Sequence, residues 1–187
     1  LAAGGFDMER EGGYGEWYQH IKEAVIVVLF GVLVVQRRQA VYLAWMSLAA
    51  YLFVDDTFMV HESVGRFAQS TPGLAEFDWA PHVGELLSTA LAGVLFLSLI
   101  GVCHVRSKPA DRAINRRLLV LLFALGFFGV VVDQLTAPFR GYLGGVFVLI
   151  EDGGEMVVFS VMISYLLSVL RQSPRPEQHR AHPVPTA

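Results

Sequence analysis

Apolar runs of about the length that crosses a bilayer recur along this chain, and six acidic residues sit inside them: Asp55, Asp56, Asp133, Glu151, Asp152 and Glu155. A membrane-spanning helix needs ~20 predominantly apolar residues. Runs can be marked at roughly 23–35, 41–60, 83–102, 118–137 and 143–170. The first is short, but Trp17 and Tyr18 are aromatics of the kind that lie at a membrane interface, and a helix starting at Tyr14 would extend it outward. The expected fold class is therefore all-α. It is an integral membrane helical bundle of about five transmembrane helices over 21–171, preceded by a polar outer segment (1–20) and followed by a disordered tail (172–187). With 54% hydrophobic and 17% charged residues, the composition excludes an ordinary soluble domain.

Ten of the fourteen Lys and Arg residues fall in three places: Arg37 and Arg38; Arg106, Lys108, Arg112, Arg116 and Arg117; and Arg171, Arg175 and Arg180. These are the first connection, the third connection and the tail, which share one side of a five-span chain. The positive-inside rule makes that side cytoplasmic, so the N-terminus is expected outside and the C-terminus inside. The chain opens on Leu1 and lacks the basic-then-apolar order of a signal peptide, and further residues upstream are expected. The single Cys103 leaves no internal disulfide.

A carboxylate placed in hydrocarbon costs on the order of 2.5–3.5 kcal/mol, so these acids are expected to have a use. Depth brings them together. At about 1.5 Å per helical residue, Asp55 and Asp56 lie near the outer end of the second span, with His61 and Glu62 beyond them. His82 and Glu85 open the third span on the same side, and Asp133 comes just before the outer end of the fourth. Glu151, Asp152 and Glu155 lie roughly 10–20 Å below the outer surface in the fifth. Helical phase adds to this, since residues three, four or seven apart share a face. Asp55 and Glu62, His82 and Glu85, and Glu151 and Glu155 are such pairs. Asp56 and His61 fall off the Asp55 face unless the helix breaks near Glu62.

The layer then holds eight acids, and the only basic side chains expected near it are Arg66 and Arg140. What remains to neutralise them is protonation, which burial and mutual repulsion favour, or bound cations. Carboxylates with two histidines on facing helices are the ligand set of dinuclear iron or manganese sites. The candidate metal ligands are Asp55, Asp56, His61, Glu62, His82, Glu85, Asp133, Glu151, Asp152 and Glu155. Each has a plainer reading beside it: Glu62 and Glu85 as solvated interfacial residues, Asp133 as a hydrogen-bonding link between helices. Gly153 and Gly154 allow either close backbone approach or a kink making room for an ion, or simple helix packing. His20 and His104 read as ordinary polar residues.

The segments LFVDDTFMVHESVG, HVGELLS, GVVVDQL and LIEDGGEMVVFSVMISY resemble the signature blocks of an uncharacterised family of bacterial multi-spanning membrane proteins. The resemblance runs over about 42–165 and implies a bacterial inner (plasma) membrane location. Its pattern takes in Asp55, Asp56, His61, Glu62, Glu85, Asp133, Glu151, Asp152 and Glu155, and leaves His82 outside. It implies no activity.

The leading expectation is a metal-binding membrane protein with a carboxylate/histidine site, read as dinuclear, in the outer half of the membrane. Oxygen-rich ligation favours a divalent iron or manganese ion, with zinc, calcium and magnesium compatible. As an enzyme it would be an oxidase acting on a lipid-soluble substrate or a hydrolase using activated water. The first alternative is a proton or cation translocating protein, against which the cytoplasmic halves of the spans carry almost no ionisable residues. The second is an accessory or structural subunit of a larger membrane complex. Expected partners are membrane lipid and a second copy or larger complex. Dispersed basic residues speak against nucleic acid.

Overall fold

The computed structural model describes residues 14–73, 76–77, 79–132 and 140–172, which form helices and short turns with no strand among them. The helices are α1 (Tyr14–Arg37), α2 (Ala40–Phe58), α3 (Val60–Ser70), α4 (Ala80–Arg106), α5 (Pro109–Gly126), which runs on into a π-helical segment (Phe127–Val132), and α6 (Arg140–Arg171). Pro81 and Pro109 sit in the first turns of α4 and α5, where a missing N–H costs nothing. Four stretches are long and apolar enough to cross a membrane: Trp17–Arg37, Ala80–Arg106, Pro109–Val132 and Leu149–Arg171. The pair α2 and α3 passes the same test together, bent by 58° at its break, so the described residues hold four to five helical stretches long and apolar enough to cross. α1 starts at Tyr14, so the first span reaches into the stretch expected as an outer segment.

The break comes at Met59, which adopts a left-handed conformation (φ 50°, ψ 47°). Such a residue costs roughly 1–2 kcal/mol outside glycine, and Asp55 helps to offset that cost. Its carboxylate accepts from the His61 backbone N–H at 2.9 Å, capping the unsatisfied first turn of α3 with a negative charge. The run expected over 41–60 thus forms α2 and ends at the bend, where α3 begins, and the turn in direction is what brings His61 back over Asp55.

The core follows from three apolar stripes. On α1, Ile26, Phe30 and Leu33 are buried; on α2, Val41, Tyr42, Trp45 and Leu48; on α6, Val158, Phe159, Met162, Leu166 and Val169. Phe30 stacks on Trp45 with ring centroids 5.8 Å apart, and Ile100, Leu118 and Leu125 close the cluster from α4 and α5. The helical spacing of three and four residues that builds each stripe also extends it: Glu23 precedes Ile26, Asp55 follows Leu48 by seven, and Glu155 precedes Phe159 by four. All three core stripes end in a carboxylate at the same end of the bundle.

At the other end the helices are joined by buried hydrogen bonds. Arg37 Nη1 and the Tyr42 hydroxyl donate to Asp111 Oδ1 at 3.1 and 2.7 Å, and Trp45 Nε1 donates to Asn115 Oδ1. The Asn115 amide meets His104 Nδ1 at 2.7 Å. Asp111 and Asn115 are 4% and 1% exposed, so this end carries a buried ion pair where the sequence promised almost none. The buried Asp111 carboxylate is paired with Arg37, as the cost of an unpaired buried charge requires.

Around the bundle, α4 packs on α3 and α2, α2 on α1, α1 on α6, and α6 on α5 with its π segment. Contact between α4 and α5 is slight beyond the short turn that joins them. The ring of helices is open along that seam.

Candidate metal centre and adjoining cleft

Asp55, Asp56 and His61 offer ligand atoms that all lie within 4.8 Å of one another, Asp55 buried and the other two half-buried. Besides the backbone N–H, Asp55 engages the His61 ring: Nδ1 stands 3.1 Å from Oδ2. A ring whose Nδ1–H is held by a carboxylate presents Nε2 as its lone-pair nitrogen. One aspartate thus fixes both the backbone and the ring of the histidine.

The next layer comes from α1, which the sequence reading left out of the site. Glu23 is 2% exposed, and its Oε1 has no hydrogen-bond donor. The Glu23 and Asp56 carboxyls are hydrogen-bonding neighbours, and Glu155 lies within electrostatic reach of both. Two carboxylates so placed in an apolar interior cannot both remain charged without a proton or cation between them. His20 Nδ1 lies 3.5 Å from Glu23 Oε2, and Gln19 donates to Glu155 Oε2 at 3.0 Å. The signal for Glu23 was legible in its register with Ile26, Phe30 and Leu33, which puts it on the buried stripe.

α1 also corrects the expected charge balance. Lys22 is 7% exposed, with Nζ donating to the Met156 carbonyl at 3.0 Å and lying over the Tyr18 ring at 4.3 Å. A lysine therefore stands at the carbonyl of the residue that follows Glu155 in the chain, in addition to Arg66. It is spent on a carbonyl and an aromatic face rather than on a carboxylate, so it does not neutralise the acids beside it.

The other expected ligands divide. Glu155 lies across Gly129 of the π segment so closely that a Cβ there would collide with Oε1, and π-helical turns often mark functional positions. Glu151 and Asp152 are half-buried one turn away, within electrostatic reach of Glu155. Glu85 is half-buried where α4 crosses α3. Glu62 pairs with Arg66 at 3.1 Å on the surface of α3, and His82 is exposed, 3.8 Å from Glu85. These two stand apart from the Asp55, Asp56 and His61 group. Asp133 lies outside the described residues. Gly154 takes the Phe128 ring against its backbone, so that glycine serves close packing of the π segment on α6.

Beside the centre is a cleft of ≈ 620 Å³ along the open seam, lined by Asp55, Asp56, His61, Glu85 and Glu155 and otherwise almost entirely by apolar residues of α2, α4, α5, the π segment and α6. Inward of Glu23, by contrast, lies an apolar void of ≈ 20 Å³ reaching to Trp45.

One family model matches the chain, a domain of unknown function (DUF8692), over residues 18–170. That is most of the chain, and the protein belongs to this family. No curated protein and no solved structure matches it.

Proposed function

We propose that this DUF8692 protein is an integral membrane metal-binding protein whose centre holds divalent metal at Asp55, Asp56 and His61, with Glu23 and Glu155 completing a carboxylate-rich, dinuclear-capable set. The observation that carries this reading is Glu23 Oε1, a buried carboxyl oxygen with no hydrogen-bond donor among the described residues, on a carboxyl whose Oε2 faces His20 and which is set against Asp56. A purely structural carboxylate would be expected to find hydrogen-bond donors, whereas a cation supplies what this one lacks. Hard oxygen ligands with imidazole suit iron or manganese first, then zinc, magnesium or calcium. The reaction class is metal-dependent oxidation or hydrolysis beside a lipid-accessible cleft.

The proton or cation pathway is the weaker reading for a specific reason. From Glu23 to Trp45 the interior is lined by Ile26, Phe30, Leu48, Leu52, Leu125 and Phe159, with room for about one water and almost no polar group to hold it. The family's location is proposed as the bacterial plasma membrane, with the acidic end outside and the Arg-rich end cytoplasmic.

Elemental analysis of the detergent-purified protein tests the centre, with Asp56→Asn, His61→Ala and Glu155→Gln alongside. The expected result is one or two metal atoms per chain in the unmodified protein and loss of that metal in the folded variants. Metal-free protein after expression with iron, manganese and zinc supplied, still folded by circular dichroism, overturns the reading.

A further inference from the structure

We propose that the cleft along the α4/α5 seam binds a membrane-dissolved, single-chain amphiphile with an uncharged oxygen head, a hydroxyl or carbonyl, which meets the carboxylate–histidine centre while the chain lies along the apolar walls. This deepens the metal-centre reading and rests on it for the chemistry of the head.

The cleft is polar at one end only. Asp55, Asp56, His61, Glu85 and Glu155 line it there, and away from them the walls are residues such as Phe96, Leu97 and Phe123. On α4 the lining runs from Glu85 to Leu97, twelve residues or about 18 Å of helix, more than half of the ~30 Å hydrocarbon core. Its ≈ 620 Å³ falls among ligand sites of ~300–1,000 Å³. A compact polar metabolite would leave most of that wall wetted, whereas a chain with one oxygen head matches both parts.

Entry is from the side. Leu86 on one rim and Phe123, Phe127 and Val131 on the other are exposed apolar side chains, as a portal to lipid requires. Charge then selects the head. With Glu23 behind them, the four carboxylates lining the polar end make five, one more than the charge of two divalent ions, so the metal-loaded centre does not attract a phosphate or carboxylate head, and an amine would compete with the metal for the same oxygens. A neutral oxygen can take an open coordination position without disturbing that balance.

The test uses the full chain in detergent and hexadecanol bearing a diazirine on its chain, cross-linked by light and mapped by peptide mass spectrometry. Label is expected on the cleft faces of α4 and α5, around Phe96, Leu97 and Phe123, and excess hexadecanol should lower it about tenfold where hexadecyl phosphate does not. Gly93 lines the cleft and a Cβ added there meets nothing within 4 Å, so Gly93→Phe fills the cleft without a clash in its own helix. That variant is expected to lose the label by a similar factor while keeping its metal. Label spread evenly over the lipid-facing helices and insensitive to hexadecanol overturns the proposal, as does equal competition by hexadecyl phosphate. Metal counted in the same samples separates the two readings: competed label on a metal-free protein supports the cleft assignment and refutes the metal centre.

Discussion

Replacing Gly65 by alanine puts a methyl group where α3 and α4 touch. The added carbon would stand 2.7 Å from Glu85 Cγ and 2.8 Å from the Pro81 carbonyl oxygen. Glu85 is a flexible side chain and can turn aside, but the Pro81 carbonyl is backbone in the first turn of α4 and cannot, so the helices must part. Gly84 on the facing helix has no slack to offer, since a Cβ there would already be 3.0 Å from Gly65 Cα. Overpacking of this kind costs about 1–3 kcal/mol. It is opposed by the intrinsic gain of roughly 1 kcal/mol for alanine over glycine inside a helix, leaving a net loss of up to about 2 kcal/mol. Gly93→Ala in α4 is the matched control, because its new methyl group meets nothing within 4 Å and keeps the propensity gain alone. Unfolding by dodecyl sulfate in mixed micelles, followed by far-ultraviolet circular dichroism, should move the two midpoints in opposite directions, separated by about 1–3 kcal/mol. If Gly65→Ala rises together with Gly93→Ala, the close crossing that seats α3, and with it His61, is refuted.

Asp55 has two separable duties, and two variants divide them. Asp55→Asn keeps an oxygen for the His61 N–H and is expected to fold normally but lose metal, whereas Asp55→Ala should also lose about 0.5–2 kcal/mol of stability with the cap; metal retained at wild-type level in Asp55→Asn would reduce the residue to a cap. At the far end, Asp111→Ala removes the acceptor shared by Arg37 Nη1 and the Tyr42 hydroxyl, while Arg37 Nη2 keeps the Val169 carbonyl. Because Arg37 keeps 17% of its side chain exposed, the cost should fall near the lower end of about 3–5 kcal/mol, with metal content unchanged; a change below ~1 kcal/mol in denaturant unfolding would show that the network is dispensable. Orientation is checked in a Cys103→Ser background with Ser70→Cys and Arg38→Cys: a membrane-impermeant maleimide applied to intact cells should label the first and not the second, and the reverse pattern inverts the topology.

Much of this architecture is written in one dimension. A run of ~20 apolar residues must become a helix in lipid, because nothing there but the chain itself can satisfy its backbone. The cost of a charge in hydrocarbon is equally local, which is why Asp55, Asp56, His61, Glu85 and Glu155 fall within the ten residues expected in one layer, whereas which of the ten meet, and that Glu62 and His82 stand apart, is not written there. What the sequence left undecided is which faces meet. Glu23 shares the register of Ile26, Phe30 and Leu33, but that this face is the buried one follows from the packing of α1 between α2 and α6, and Lys22 looks solvated until Nζ reaches a carbonyl 134 positions away. The left-handed turn at Met59 has no glycine to announce it, and the Asp111 pair to Arg37 joins residues 74 apart. Periodicity fixes the face a residue occupies on its own helix; its partners, its burial and the open seam between α4 and α5 depend on how separate helices divide the interior among themselves, and only the tertiary structure decides that.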